Sequence, residues 1–250
     1  MAFGDKTLQR SDKGKSVIEL QLRLAGFRGT LWDGDFGPGT ELQVMCFQRD
    51  YMGMQKPNGI VADKTFAALE KFATDFPVDF ASIRCRCGKC EGFGQDRFNG
   101  QYKTGKPKTE AFHRREYPGV HKAILHSYRA ANFYCQRAGF PAAKITSGYR
   151  CWVDNQKNKR ESTNHMGKAL DVDFPLLAGE LKQDDVIRCD KGRGMLVEKG
   201  NFQTGWGATN RKSLEPSEIA PTWIHMDVRS YELKFLADEY FVTSSDELDT

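Results

Sequence analysis

The sequence predicts an α+β protein, with a small N-terminal three-helix bundle joined to a mixed α+β domain. Three observations carry that prediction. Three helix-period apolar runs, each behind a start signal, fill the first 73 residues. Residues 74–110 then turn Gly- and Lys-rich. Beyond them, one long helical pattern is followed by short strand-like runs. The bounds that follow are 1–75 for the bundle, 76–110 for a linker and the start of the second domain, and 111–250 for the body of that domain.

With 250 residues, 39% hydrophobic and 28% charged, the chain has an ordinary globular composition. Its net charge of +4 is mild and no Lys/Arg block stands out, so nucleic acid is not expected as a partner. No apolar run reaches the roughly 18 residues of a membrane helix, so membrane insertion is not expected either. The opening stretch, MAFGDKTLQRSDKGKS, lacks the apolar core of a secretory signal. A cytoplasmic start follows, with reduced thiols for the seven cysteines.

In the first helix Ser16 and Glu19 read as a capping box. Val17, Leu20, Leu24 and Phe27 follow at helical spacing, with Gly26 as the stop. Thr40 and Gln43 open the second helix, which continues through Leu42, Val44, Met45 and Phe47. Asp63 opens the third, ahead of Phe66, Leu69 and Phe72. Turns of one plan precede the second and third helices, DGDFGPGT and PNGIVADKT. From physics alone this is a helical bundle with no stated task. The run VIELQLRLAGF…DGDFGPGT…VMCFQRDYMG…NGIVADKTFAAL resembles, over roughly residues 8 to 73, the peptidoglycan-binding domain of bacterial and phage cell-wall hydrolases. It includes the pair Phe47 and Gln48. The resemblance implies bacterial peptidoglycan as the partner and a role in holding an enzyme on the wall.

The segment IRCRCGKCEGFGQDRFNGQYKTGKPKTE reads as loop, with a short strand near Phe80 to Cys87. Cys85, Cys87 and Cys90 form C-x-C-x-x-C. A structural zinc site needs a fourth ligand, and no spacing supplies one. Free thiols are therefore the expected state, with Cys151, Cys189 or a histidine as residues that could come near in space. A long helix then starts near Pro118, with Val120, Ile124, Tyr128, Ala131 and Cys135 on one face, and Gly139 and Pro141 end it. His121 and His126, five apart, do not share a helical face and read as surface or packing residues. His113 is placed outside the chemistry.

The strand-like run AAKITSGYRC, then STNHMGKALDVDF and PTWIHMDVR, carry the chemistry. Two of the five histidines lie in these segments, each beside carboxylates at period-two spacing. On a strand Asp171 and Asp173 face one way, as do His225 and Asp227. Catalytic zinc uses this inventory: three N/O ligands, a fourth position for a water whose pKa falls, and a further carboxylate to take its proton. Each pair alone reads equally well as polar edge-strand residues. Two pairs together favour a metal.

The motifs SGYR, S-x-x-H-x-G-K-A-x-D and W-I-H-x-D resemble, over roughly residues 78 to 235, the M15 family of zinc peptidases. That family includes D-Ala-D-Ala carboxypeptidases, dipeptidases and the L-alanyl-D-glutamate endopeptidases of phage endolysins. The resemblance implies a central antiparallel sheet and a Zn2+ held by His165, Asp171 and His225. Arg150 would hold a substrate carboxylate or the developing oxyanion. Two departures matter. His165 stands one residue closer to Asp171 than in the family, which keeps Asp173 as an alternative ligand. The family's catalytic carboxylate, three residues before the last histidine, is here Thr222. The base role therefore moves to Asp227, with Glu218 as the runner-up. Ser147, Tyr149, Trp206 and Trp223 flank these segments as the expected substrate-binding residues, the two tryptophans as groove walls or as rim packing.

The expectation is a monomeric endolysin-like zinc peptidase that accumulates in a host cytoplasm, reaches the wall, and lyses it by cutting a stem or cross-bridge peptide. Carboxypeptidase, L-Ala-D-Glu endopeptidase and D-Ala–meso-diaminopimelate endopeptidase readings all fit the motifs. Two alternatives stay open. One is a non-catalytic peptidoglycan-binding protein, which Thr222 favours, and the other is a secreted bacterial wall-degrading effector.

Overall fold

Helices α1 (Lys15–Arg23), α2 (Pro38–Asp50) and α3 (Asp63–Asp75) form where the apolar periods lie. They belong to a computed structural model that describes residues 3–28, 31–95, 115–160, 165–175, 179–204, 213–228 and 231–250. The expected starts at Ser16 and Thr40 are corrected. The N-cap positions of the three helices are Gly14, Gly37 and Ala62, none with a side-chain cap bond. Gly14 sits at φ 108°, a conformation that glycine adopts freely. Pro38 supplies the preset φ at the first turn of α2.

Thr40 has a different task, which a buried glutamine explains. The Gln21 amide donates to Asp33 Oδ1 (2.8 Å), Thr40 Oγ1 (2.9 Å) and the Asp35 carbonyl (3.2 Å), and its oxygen accepts from the Gly34 N–H (3.0 Å). Gln48 repeats the arrangement in the next turn. It donates to Asn58 Oδ1, the Ile60 carbonyl and Thr65 Oγ1, and accepts from the Asn58 and Gly59 N–H groups. Gly34 and Gly59 take the left-handed φ of 76° and 71° that these turns require. Helices α1 and α2 thus each carry the clamp that folds the turn leading to the next helix.

The first core continues across the expected domain boundary. Leu20, Leu24, Phe27, Phe47 and Phe72 pack with Ala130, Phe133 and Tyr134 of α5 (Lys122–Arg137). Gly26 does not stop α1, which ends three residues earlier. It allows close approach instead: a Cβ there would lie 2.1 Å from the Ala130 Cβ. The Arg28 N–H donates to the Lys199 carbonyl (2.8 Å) and Tyr134 Oη donates to Asp50 (2.8 Å), so the helical region is docked rather than tethered.

Residues 76–95 pack on the second part. A short helix, α4 (Phe80–Ile83), replaces the strand expected there, because Asp79 caps it through the Ala81 and Ser82 N–H groups. After β1 (Val120–His121), α5 buries the predicted face and most of its other sides too, since α1 and α7 (Lys182–Gly200) lie against it. His121 and His126 are both buried, so packing is their role and not exposure. His121 caps α5: its Nδ1 accepts from the Ala123 N–H (3.1 Å) and its Nε2–H donates to the Phe235 carbonyl (2.9 Å).

The main sheet runs in the order β2 (Lys144–Ser147), β3 (Ala169–Asp173), β6 (Ile224–Asp227), β5 (Ser213–Leu214) and β4 (Gln203–Thr204). All pairs are antiparallel except β4 with β5. A second ribbon pairs β1 with β7 (Phe241–Val242). Strand alternation sorts the two central strands. Leu170, Val172, Ile224 and Met226 enter the core, where Gly192 of α7 lies against Ile224 and Phe174. Asp171, His225 and Asp227 therefore point to the opposite face. Helix α6 (Trp152–Lys157) follows the SGYRC turn, and α8 (Ser245–Asp249) closes the chain. Among the described residues no helix is long and apolar enough to cross a membrane.

Candidate metal centre

Register brings the centre together. Asp171 of β3 pairs directly with His225 of β6 and with Ser147 of β2. His165 comes from the turn before β3, which three backbone bonds clamp: Arg150 N–H to the His165 carbonyl, Tyr117 N–H to Met166, and His121 N–H to Gly167. Gly167, at φ 112°, runs so close to Gly119 that a Cβ would sit 2.5 Å from its carbonyl oxygen. His165, Asp171 and His225 offer ligand atoms within 4.8 Å of one another, and all three are buried.

The outer nitrogen of each imidazole is already occupied. His165 Nδ1–H donates to the Gly148 carbonyl (2.8 Å), which turns its Nε2 toward Asp171 Oδ1 at 3.4 Å. His225 lies between two carboxylates, with Nδ1 2.7 Å from Asp171 Oδ1 and Nε2 2.9 Å from Asp227 Oδ2. Burial favours the neutral ring, but the bonds to Asp171 and Asp227 outweigh it and raise the His225 pKa to about 9. Burial likewise opposes the charge on Asp171, yet the two histidines hold its carboxyl well below the usual range. Arg150 takes the other oxygen, Nη2 to Asp171 Oδ2 at 2.9 Å, while its Nε donates to Ser147 Oγ at 2.6 Å.

The sequence placed Asp227 as base, and its position does not suit that role. It stands behind His225, with the imidazole between it and the other ligands, as an orienting carboxylate does. Asp173, the rival ligand, lies elsewhere, grouped with Asp185 and Cys189. Burial and a hydrogen bond with Asp185 raise its pKa to about 6. Glu218 is exposed in the turn between β5 and β6. Tyr149 is buried, its hydroxyl donating to the Tyr117 carbonyl (2.7 Å) and its ring against Phe93, so it is packing more than groove wall. Trp223 is half-buried ahead of β6, and Trp206 lies outside the described residues.

Two features escaped the sequence reading. Glu215 continues the β5–β6 register by one residue, its N–H donating to the His225 carbonyl (3.4 Å), so it stands opposite His225 on the ligand face. Nothing in SLEPS signals this; only the strand pairing does. The second is a pocket beside Arg150, lined also by Arg84, Arg86, Arg160, Ser82 and Ser147. Cys151, moreover, joins Cys85, Cys87 and Cys90, and the four sulfurs lie within 4.8 Å of one another.

Residues 13–69 match the family model "Putative peptidoglycan binding domain". The first helices thus resemble a wall-binding family. The chain is also 38% identical over 80 residues to the zinc D-Ala-D-Ala carboxypeptidase of Streptomyces albus G, covering 30% of this chain and 31% of that protein. Its match therefore spans about a third of that relative's length. A solved structure, the SleB N-terminal domain, is 39% identical and covers 28% of this chain and 96% of its own, with a TM-score of 0.26.

Proposed function

We propose that the protein is a zinc-dependent peptidase that grips bacterial peptidoglycan through its wall-binding module and hydrolyses an amide bond in the stem or cross-bridge peptides. The observation that carries this reading is the convergence of His165, Asp171 and His225 with both outer imidazole nitrogens already held. Two imidazoles and one carboxylate are a zinc donor set. His165 Nε2, Asp171 Oδ1 and His225 Nδ1 would hold the ion. When bound, zinc polarises the scissile carbonyl and makes the attacking water more acidic.

The chain's own residues do the rest. Asp227 fixes the tautomer and orientation of His225. Glu215, which follows β5 and meets His225 through its backbone N–H, would accept the proton of the attacking water. Arg150 steadies Asp171, and with Arg84, Arg86 and an Arg160 that pairs with Asp154 (2.6 Å) it lines a pocket suited to the free carboxylates of a stem peptide. In this reading the protein works as a monomeric endolysin that accumulates in the host cytoplasm and lyses the wall once released to it.

The test uses purified peptidoglycan. Turbidity should fall with the zinc-loaded protein, stop with chelator and resume with added zinc, and mass spectrometry should find new peptide termini in the fragments. Tight binding of zinc-loaded protein to sacculi with no new termini would overturn the peptidase reading and leave a wall-binding protein.

A further inference from the structure

We propose a second metal site, independent of the first: Cys85, Cys87, Cys90 and Cys151 hold one structural Zn2+ as four thiolates. The sequence lacked only a fourth ligand at recognisable spacing, and the fold supplies it from 61 residues beyond Cys90. All four Sγ atoms lie within 4.8 Å of one another. Zinc–sulfur bonds of ~2.3 Å in a tetrahedron give sulfur–sulfur edges of ~3.8 Å. The Cys87–Cys90 separation of 3.5 Å is near that edge, and all four thiols are free.

The surroundings are those of a tetrathiolate. Backbone N–H groups donate to three of the sulfurs: Lys89 to Cys87 (3.2 Å), Cys151 to Cys85 (3.4 Å) and Asp154 to Cys151 (3.5 Å). Such donors stabilise thiolates and orient them around an ion. The Cys85 N–H closes the loop onto the Gly92 carbonyl (2.8 Å), with Gly88 and Gly92 at positive φ. Cys85 and Cys151 are buried and Cys87 and Cys90 half-buried, a closed set of four ligands with one side open to entry. Binding exchanges four thiol protons for one Zn2+ and leaves the group at −2, beside a sequence that offers Arg84, Arg86 and Lys89.

The ion would tie the segment after α4 to the SGYRC turn. The Tyr149 N–H already donates to the Ile83 carbonyl (2.7 Å), and a Cβ on Gly148 would meet Ile83 backbone at 2.2 Å. Arg84 and Arg86 alternate with Cys85 and Cys87 and line the pocket with Arg150. The cysteine site therefore sets the positions of the pocket's arginines.

Cobalt decides the matter. Full-length protein carrying His165→Ala and His225→Ala, kept reduced, should bind one Co2+ with strong near-ultraviolet thiolate-to-cobalt absorption, and one equivalent of Zn2+ should bleach it. Wild-type protein should hold two zinc ions, and Cys87→Ser/Cys90→Ser one. Absence of the thiolate band in the histidine variant would overturn the site even if the cysteine variant fails to fold. A zinc content unchanged by the two serines, or a Cys87–Cys90 disulfide in freshly purified protein, would do the same.

Discussion

His225 has a carboxylate on each nitrogen, and the ring can show only one of them to an ion. Asp171 comes from the neighbouring strand and meets Nδ1, whereas Asp227 lies two residues along the same strand and meets Nε2. Asp227→Asn should then weaken zinc binding about 10- to 100-fold, read by chelator competition. Unchanged zinc affinity with a kcat loss of that size or more would return Asp227 to the role of base. Glu215→Gln should lower kcat roughly 10²- to 10⁴-fold with zinc content intact. The candidate trio was legible in the sequence because His165, Asp171 and His225 sit in motifs that resemble those of a zinc peptidase family, even with His165 one residue closer to Asp171 than is usual there. The direction in which an imidazole turns was not, since neighbouring strands and the Gly148 carbonyl decide it. Glu215 was illegible for a related reason, since its partner comes from register, and Cys151 stood only as one of several residues that could come near, because chain crossing and not local spacing brings it to the other cysteines.

Among the elements, the turns before α2 and α3 are the most regular. Each depends on one buried amide, so Gln48→Ala should destabilise the fold by about 2–4 kcal/mol in denaturant unfolding, leaving the Asn58 and Gly59 N–H groups unpaired. Gln48→Glu keeps those acceptor contacts but loses the donors, and should not restore full stability. The helices themselves were readable from apolar period, but their caps were not, because Gly14, Gly37 and Ala62 carry no capping side chain. Where the sequence suggests a strand near Phe80, the Asp79 carboxylate caps α4 instead. At the head of α5, burial lowers the His121 pKa to about 4 despite its bond to the Phe235 carbonyl. The unfolded chain, with an ordinary histidine near 6.5, binds the extra proton first. Stability should therefore decline as pH falls from about 6.5 toward 4, and His121→Gln should flatten part of that decline in pH-dependent thermal unfolding.

At the scale of the whole molecule, each of the two cores draws residues from both parts: Leu22, Ala25 and Trp32 enter one, and Ala130, Phe133 and Tyr134 the other. Gly26→Ala should overpack the contact with Ala130 and cost about 1–3 kcal/mol, and Ala130→Gly should recover much of it in a double-mutant cycle. Additive losses would show that the contact is not shared. The sequence showed two parts but not their docking, because Gly26 reads locally as a helix stop and its partner lies over a hundred residues away. α8 adds to the joint: the Arg129 guanidinium pairs with the Asp249 carboxylate at 2.7 Å and 2.9 Å, and Arg23 reaches the Asp249 carbonyl. An enzyme on a slack leash sweeps a wide circle around each foothold. With Gly26 seated on Ala130 there is no leash, and on the proposed reading each landing addresses only the few peptides at one set offset and angle. Progress across a wall would then go by stepping, release and landing again. A firmer foothold would slow the advance rather than speed it.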